Sequence, residues 1–241
     1  MNPSHPDRPP SGLPHAQTRQ ITAWPASAAR PALAPEVQRV LRNTYALLAM
    51  TLLLSAAVAG LTLMLQLPGP GPLLSLAITL GLLWGVHRLQ HSGWALPAVF
   101  ALTGFMGYTL GPLLTRSLTL PGGTEAVALA LAGTGATFLA LSSYVLVTRR
   151  DFSFMGGFLM AGMVIALLAG VGALLLQIPA LALAVSVAVA LLSAGLILYE
   201  TSRIVQGGED NYVLATVGLY VSLFNLFTSL LSLFGLGGSD D

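Results

Sequence analysis

The sequence contains no cysteine, so disulfides, thiolate metal sites and cysteine nucleophiles are all excluded. Charge is almost as scarce. Only 8% of the 241 residues are Asp, Glu, Lys or Arg, where a soluble globular domain carries roughly a quarter. So few ionic groups cannot solvate the surface of a 25.0 kDa globule. Lysine is missing altogether, and the ten basic residues are all Arg. They are scattered and the net charge is +1, which offers nucleic acid no basic face. Catalytic motifs are missing too: there is no HExxH, GxSxG, Walker loop or dinucleotide fingerprint. No His lies within any long apolar run, so a serine buried there would have no imidazole base. The expectation is a protein that is not an enzyme and takes no cofactor.

What is present is apolar. Hydrophobic residues make up 55% of the chain, and the mean hydropathy is +0.80. Seven runs are candidates to cross a bilayer, which takes about 20 residues of helix. They are Thr44–Leu65, Gly71–Val86, Trp94–Leu114, Ala126–Val147, Phe154–Leu176, Pro179–Tyr199 and Tyr212–Leu236. The second is short. Turn signals separate several of them: Pro68-Gly69-Pro70-Gly71, Pro121-Gly122-Gly123, Gln177-Ile178-Pro179 and Gly207-Gly208. The first run is too long for the core of a secretory signal and follows a long polar segment, so it reads as a retained helix. The predicted fold class is an all-α membrane protein, a bundle of seven transmembrane helices.

Three regions follow. Residues 1–42 read as a disordered tail, rich in Pro, Ser and Ala, with Glu36 to Asn43 able to open a helix that runs into the first span. Residues 43–236 form the membrane domain, and 237–241 a short C-terminal tail. Alternating crossings put nine Arg on the side of the N-terminus and leave Arg116 alone on the other. By the positive-inside rule the N-terminus is cytoplasmic and the C-terminus lies outside.

Helices in lipid associate through small residues and interhelical hydrogen bonds, because apolar side chains gain little by leaving lipid. Gly104, Gly107 and Gly111 in the third run, and Gly157 with Ala161 in the fifth, are candidate packing notches. On the last run Gly218, Ser222, Asn225, Ser229 and Ser232 fall on one helical face. That stripe should face protein or water, as an adhesive seam or as a polar conduit. Glu200 is the acidic residue nearest membrane depth. A helix rising about 1.5 Å per residue from Pro179 brings it roughly 30 Å along, near the interface. There Arg203, three residues on, can pair with it. An interfacial ion pair and a functional carboxylate are both open readings. His87 and His91 are four apart but have no evident third ligand, so a loop position is expected and no metal site.

The last quarter of the chain carries a more specific pattern. Tyr199-Glu200-Thr201-Ser202-Arg203 closes the sixth run, and Gly207-Gly208-Glu209 follows. The seventh contains Leu219-Tyr220-Val221-Ser222-Leu223-Phe224-Asn225-Leu226-Phe227. Together these resemble the Bax inhibitor-1 family. Val40 to Tyr45, Thr103-Gly104-Phe105 with Gly107-Tyr108, Leu110-Gly111-Pro112 and Tyr144-Val145-Leu146 resemble its bacterial YccA branch, over about residues 38–236. The resemblance implies a seven-helix bundle with the last helix central, in the bacterial inner membrane. It also implies partners: the membrane-anchored protease FtsH, of which such proteins are substrates and modulators, and its HflK–HflC companions. The N-terminal tail would then be the handle that the protease grips. The alternative that the family implies is a pH-influenced calcium or other cation leak channel. Its channel-like members use two acidic residues, one in each of the last two helices. Glu200 matches the first, but Ser222 stands at the second and cannot titrate.

Overall fold

A computed structural model describes residues 33–237. It contains seven long α-helices and one short 3-10 turn, with no strand among the described residues. The helices are α1 (Pro35–Met64), α2 (Pro72–Leu89), α3 (Ala95–Leu118), α4 (Gly123–Thr148), α5 (Gly156–Leu176), α6 (Pro179–Val205) and α7 (Tyr212–Gly237). Each is long and apolar enough to span a membrane. Leu53, Leu131, Phe158, Leu168 and Leu191 stand exposed on the outside, as lipid-facing residues do. The all-α seven-helix membrane fold expected from composition is therefore the observed one.

Helix starts and stops follow local chemistry. Pro occupies the first turn of α1, α2 and α6, where its missing N–H costs nothing. The α6–α7 turn needs positive φ at Gly207, and the α3–α4 turn needs it at Gly122. Pro112 lies inside α3, where it removes one intrahelical hydrogen bond. The α1–α2 loop packs there: Gly69 lies against the Pro112 ring, and the Tyr108 hydroxyl donates to the Pro68 carbonyl.

The element bounds depart from the apolar runs in three informative places. Helix α1 begins at Pro35, so residues 35–42, which the expected disordered tail included, are helical, and the stretch from Glu36 to Asn43 runs into the first span. Residues 1–32 and 238–241, which hold most of the expected tails, lie outside the described residues. Helix α6 continues past the apolar run to Val205, so Glu200 and Arg203 lie within it, as the helical count from Pro179 expects. Helix α2 reaches Leu89, which puts His87 in its last turn instead of a loop, with only His91 in the following turn.

Helix α7 is central. Half of its most apolar window is buried inside the bundle, against a third for α1 and α3. It packs on α6, α4, α1 and α3, while α2 packs mainly on α3 and α5 mainly on α6. The core gathers around it: Leu48, Val99, Leu102, Val145, Ile197 and Ile204 pack with Leu219 and Tyr220.

Candidate functional site

The starts of α1, α3, α5 and α7 share one end of the bundle with the ends of α2, α4 and α6. There α6 turns back into α7, and the turn builds a compact ionic cluster. Gly207 adopts φ +73°, and the Gly208 and Glu209 amides donate to the Arg203 carbonyl at 2.8 and 3.2 Å. That turn folds the Glu209 side chain back onto the helix it has just left. The Arg203 guanidinium donates to Glu209 Oε2 at 2.8 Å, and its other terminal nitrogen stands 3.7 Å from Glu200 Oε2. The guanidinium also lies over the Tyr199 ring, 5.5 Å from its centroid. One cation thus bridges two carboxylates whose side chains are 14% (Glu200) and 8% (Glu209) exposed. The expected pairing of Arg203 with Glu200 is present, and Glu209 is a second, closer partner. The short distance to Glu209 marks a charge-assisted hydrogen bond, while the one to Glu200 is an electrostatic contact.

Glu200 is accommodated by a glycine. A Cβ built on Gly218 would lie 2.8 Å from the Glu200 carboxyl carbon, so α7 has an open notch where the carboxylate sits. The rest of the cluster ties loops together. Glu209 Oε1 accepts the Asn211 amide at 3.1 Å, and Asn211 Oδ1 accepts the Val213 amide at 2.9 Å, capping α7. The Asn211 side-chain amide reaches the Gln90 carbonyl at 3.5 Å. Ser202 Oγ donates to the Arg150 carbonyl and accepts the Phe152 amide, and Gln206 donates to the Arg149 carbonyl at 2.8 Å. The α2–α3, α4–α5 and α6–α7 connections are therefore latched to one another through polar groups of a single turn. Nearby, exposed Asp151 accepts the Ser153 amide, and that bond holds its carboxyl below the ordinary aspartate range.

The last-helix stripe has a different role from a hydrogen-bonded seam. Ser222 and Ser229 are buried, and Asn225 and Ser232 are half-buried. Ser222 donates only to the Gly218 carbonyl of its own helix, at 2.8 Å. The interhelical hydrogen bonds of α7 leave from its opposite face. Thr216 Oγ1 reaches the Thr44 carbonyl of α1 at 3.2 Å. The Tyr220 hydroxyl meets Ser55 Oγ at 2.7 Å and the Thr103 carbonyl of α3 at 3.3 Å. Tyr220 is 1% exposed and joins α1, α3 and α7. Beside it an apolar cavity of about 550 Å³ opens between α1 and α4, lined by Ala56, Gly60, Leu131, Phe138 and Phe227 among others.

The small-residue notches also divide. In α3, a Cβ on Gly107 would come within 2.5 Å of the Ser55 carbonyl oxygen, and one on Gly111 within 2.5 Å of the Thr62 side chain, so both admit α1. Gly104 has only Leu54, at 4.0 Å. In α5, Gly157 meets nothing within 4 Å and Ala161 is exposed, so this pair does not pack inside the bundle. Gly156 against Tyr199 and Gly162 against Leu192 form the close α5–α6 approach instead. Among the described residues no group of three or more His, Asp or Glu could hold a metal ion.

Glu209 and Tyr220 are the two residues that local reading underrates. Glu209 sits beyond the apolar run and signals only as the acid after a Gly-Gly turn. Tyr220 signals only as a hydroxyl in the middle of an apolar helix.

Comparison with known proteins matches this sequence to a family. A family model described as inhibitor of apoptosis-promoting Bax1 matches residues 37–239. An Escherichia coli K12 protein named modulator of FtsH protease YccA is 48% identical over 202 residues, covering 84% of this chain and 92% of the relative. An uncharacterized protein of Pseudomonas aeruginosa is 49% identical over 206 residues, with 86% and 93% covered. An uncharacterized membrane protein of Vibrio cholerae is 41% identical over 210 residues, with 86% and 93% covered.

Proposed function

This chain belongs to the Bax inhibitor-1 family, and on that premise we propose that it is an inner-membrane modulator of the FtsH protease. The observation that carries the reading is the 48% identity, over 84% of this chain and 92% of the relative, to a protein named for that role. The same relative in another Escherichia coli strain is named an inner membrane protein. In the proposed orientation the latched end and nine of the ten Arg lie on the cytoplasmic side. The polar segment ahead of α1 then lies on that side too and serves as the handle for the protease, with HflK–HflC as companions. The closed, hydrogen-bonded α6–α7 turn resists extraction. A chain that is engaged but slow to be pulled apart occupies the protease and spares other substrates.

Pulse-chase tests this directly. The lifetime of a membrane-protein substrate of FtsH is followed in cells that overproduce the full chain or a version lacking residues 1–30. The truncated form is expected to prolong the substrate's life several-fold, because it occupies the protease without being gripped. Unchanged lifetimes with both forms would sink the proposal.

The Arg203 cluster favours a second reading, a cation leak. Two carboxylates gather around one guanidinium at the latched end of the bundle. This reading expects calcium flux in proteoliposomes that changes in Glu200→Gln. Flux equal to that of empty vesicles, at acid and at neutral pH, would dispose of it.

A further inference from the structure

Helix α2 is the least covered span of the bundle. Only 6% of its apolar window is buried, and a Cβ on Gly81 or Gly85 would meet nothing within 4 Å. Its last turns carry Trp84, His87 and Arg88, and His91 follows in the turn after it. Helical geometry puts residues at i, i+3, i+4 and i+7 on one face, and Gln90 keeps the helical backbone through the step to His91. All four side chains are exposed, Trp84 at 71%. Trp94 stands exposed across the turn, at 68%.

This face is cationic with no acid of its own. Arg88 makes no ion pair among the described residues. The hydrogen bond from Asn211 to Gln90 brings the α6–α7 turn close. Of its acids, Glu209 is engaged by Arg203 and the Asn211 amide. Asp210 is exposed and pairs with no base among the described residues. Depth is set by length. The 18 residues of α2 rise about 27 Å, slightly less than the roughly 30 Å of hydrocarbon. Its ends are therefore held at the headgroups. Arg88, one residue from the end, reaches phosphate level by extending its side chain. Trp84 lies about one turn deeper, where indoles settle at the boundary of chain and headgroup.

We infer that this face of α2 binds the headgroup of an anionic phospholipid. The Arg88 guanidinium forks onto the phosphate, as its planar donors suit it to do. His87 and His91 add N–H donors, and Trp84 and Trp94 bracket the glycerol region. A zwitterionic lipid fits less well, because the helix face itself carries no carboxylate to receive an ammonium group, and the nearest unpaired one, Asp210, is on the neighbouring turn. The inference stands apart from the protease reading, since it concerns a span that the substrate assay does not probe.

The test uses the full chain with Trp24→Phe, so that only Trp84 and Trp94 report. The chain is placed in phosphatidylcholine bilayers in which a minor fraction is brominated phosphatidylglycerol or, separately, brominated phosphatidylcholine. Indole quenching by the anionic lipid should correspond to about fivefold enrichment over a random shell, the factor that roughly 1 kcal/mol per basic residue near the surface implies. Arg88→Gln should bring the ratio to about one, and Arg88→Lys should keep most of it. Arg150→Gln, an exposed arginine at the same end, should leave it unchanged. Equal quenching by the two lipids would overturn the inference, as would a preference that survives Arg88→Gln. Loss of the preference on adding inorganic phosphate would assign the site to free phosphate instead. If neither lipid quenches Trp84, a protein surface covers this face and the lipid site is wrong.

Discussion

Replacing Arg203 by Met should lower the unfolding temperature of the solubilised chain by roughly 5–10 °C. Removing one member of a fully buried ion pair costs about 3–5 kcal/mol, because the partner is left charged and unpaired. Arg203 is 31% exposed, and solvent screening reduces that to about 2–3 kcal/mol. For a chain of this size each kcal/mol is worth about 2–4 °C. The loss has a specific cause, which a second substitution isolates. Arg203→Met leaves Glu200 and Glu209 both buried without their shared cation. Adding Glu209→Gln removes the more buried carboxylate and should restore more than half of the lost stability. Glu200→Gln alone should cost little, since its oxygen stands 3.7 Å from the guanidinium rather than 2.8 Å. Thermal melts followed by circular dichroism would decide the matter. A melt of Arg203→Met within a degree or so of the unsubstituted chain would mean that the cluster does not hold the turn.

The second large effect is a pair of identical substitutions with opposite signs. Gly107→Ala places a methyl 2.5 Å from the Ser55 carbonyl oxygen and 2.8 Å from the Ser55 Cα. Those are backbone atoms, so no rotamer change relieves the contact and α1 must move as a body. Moving it also draws Ser55 away from the Tyr220 hydroxyl, now at 2.7 Å. Overpacking of this kind costs about 1–3 kcal/mol, and the lost hydrogen bond adds roughly 1 kcal/mol. Gly157→Ala meets open space on the outer face of α5. It should be neutral or stabilise by about 0.5–1 kcal/mol, through the greater helix propensity of alanine. The same melting assay reads both. If Gly157→Ala proves as damaging as Gly107→Ala, the outer face of α5 is packed against something in the solubilised protein.

That contrast separates what was legible along the chain from what was not. Composition and run length report the transfer of each residue from water to lipid, a local property. They sufficed for seven spans, for the class of fold and for the basic end of the bundle. Motif order in the last quarter carried the family. The stripe on α7 correctly marked that helix as interior, because small polar residues on one face are poorly placed against lipid. Local reading could not tell which face of a helix meets which neighbour. Gly107 and Gly157 have the same spacing to a small residue four positions on, yet only the first lies against another helix. Ser55 and Tyr220 are 165 positions apart, and Thr44 and Thr216 are 172 apart. No window along the chain joins such pairs, and their meeting places the working hydrogen bonds of α7 opposite the stripe. Glu209 has the same lesson. Depth counted from Pro179 singled out Glu200, but a residue beyond the helix becomes buried only when the backbone reverses at Gly207 and returns it to Arg203. Spans, class and kinship were set by the order of residues, since lipid selects them one at a time. The identity of the ion pair, the packing seams and the free faces was decided by the tertiary structure, since each depends on two helices arriving at the same place.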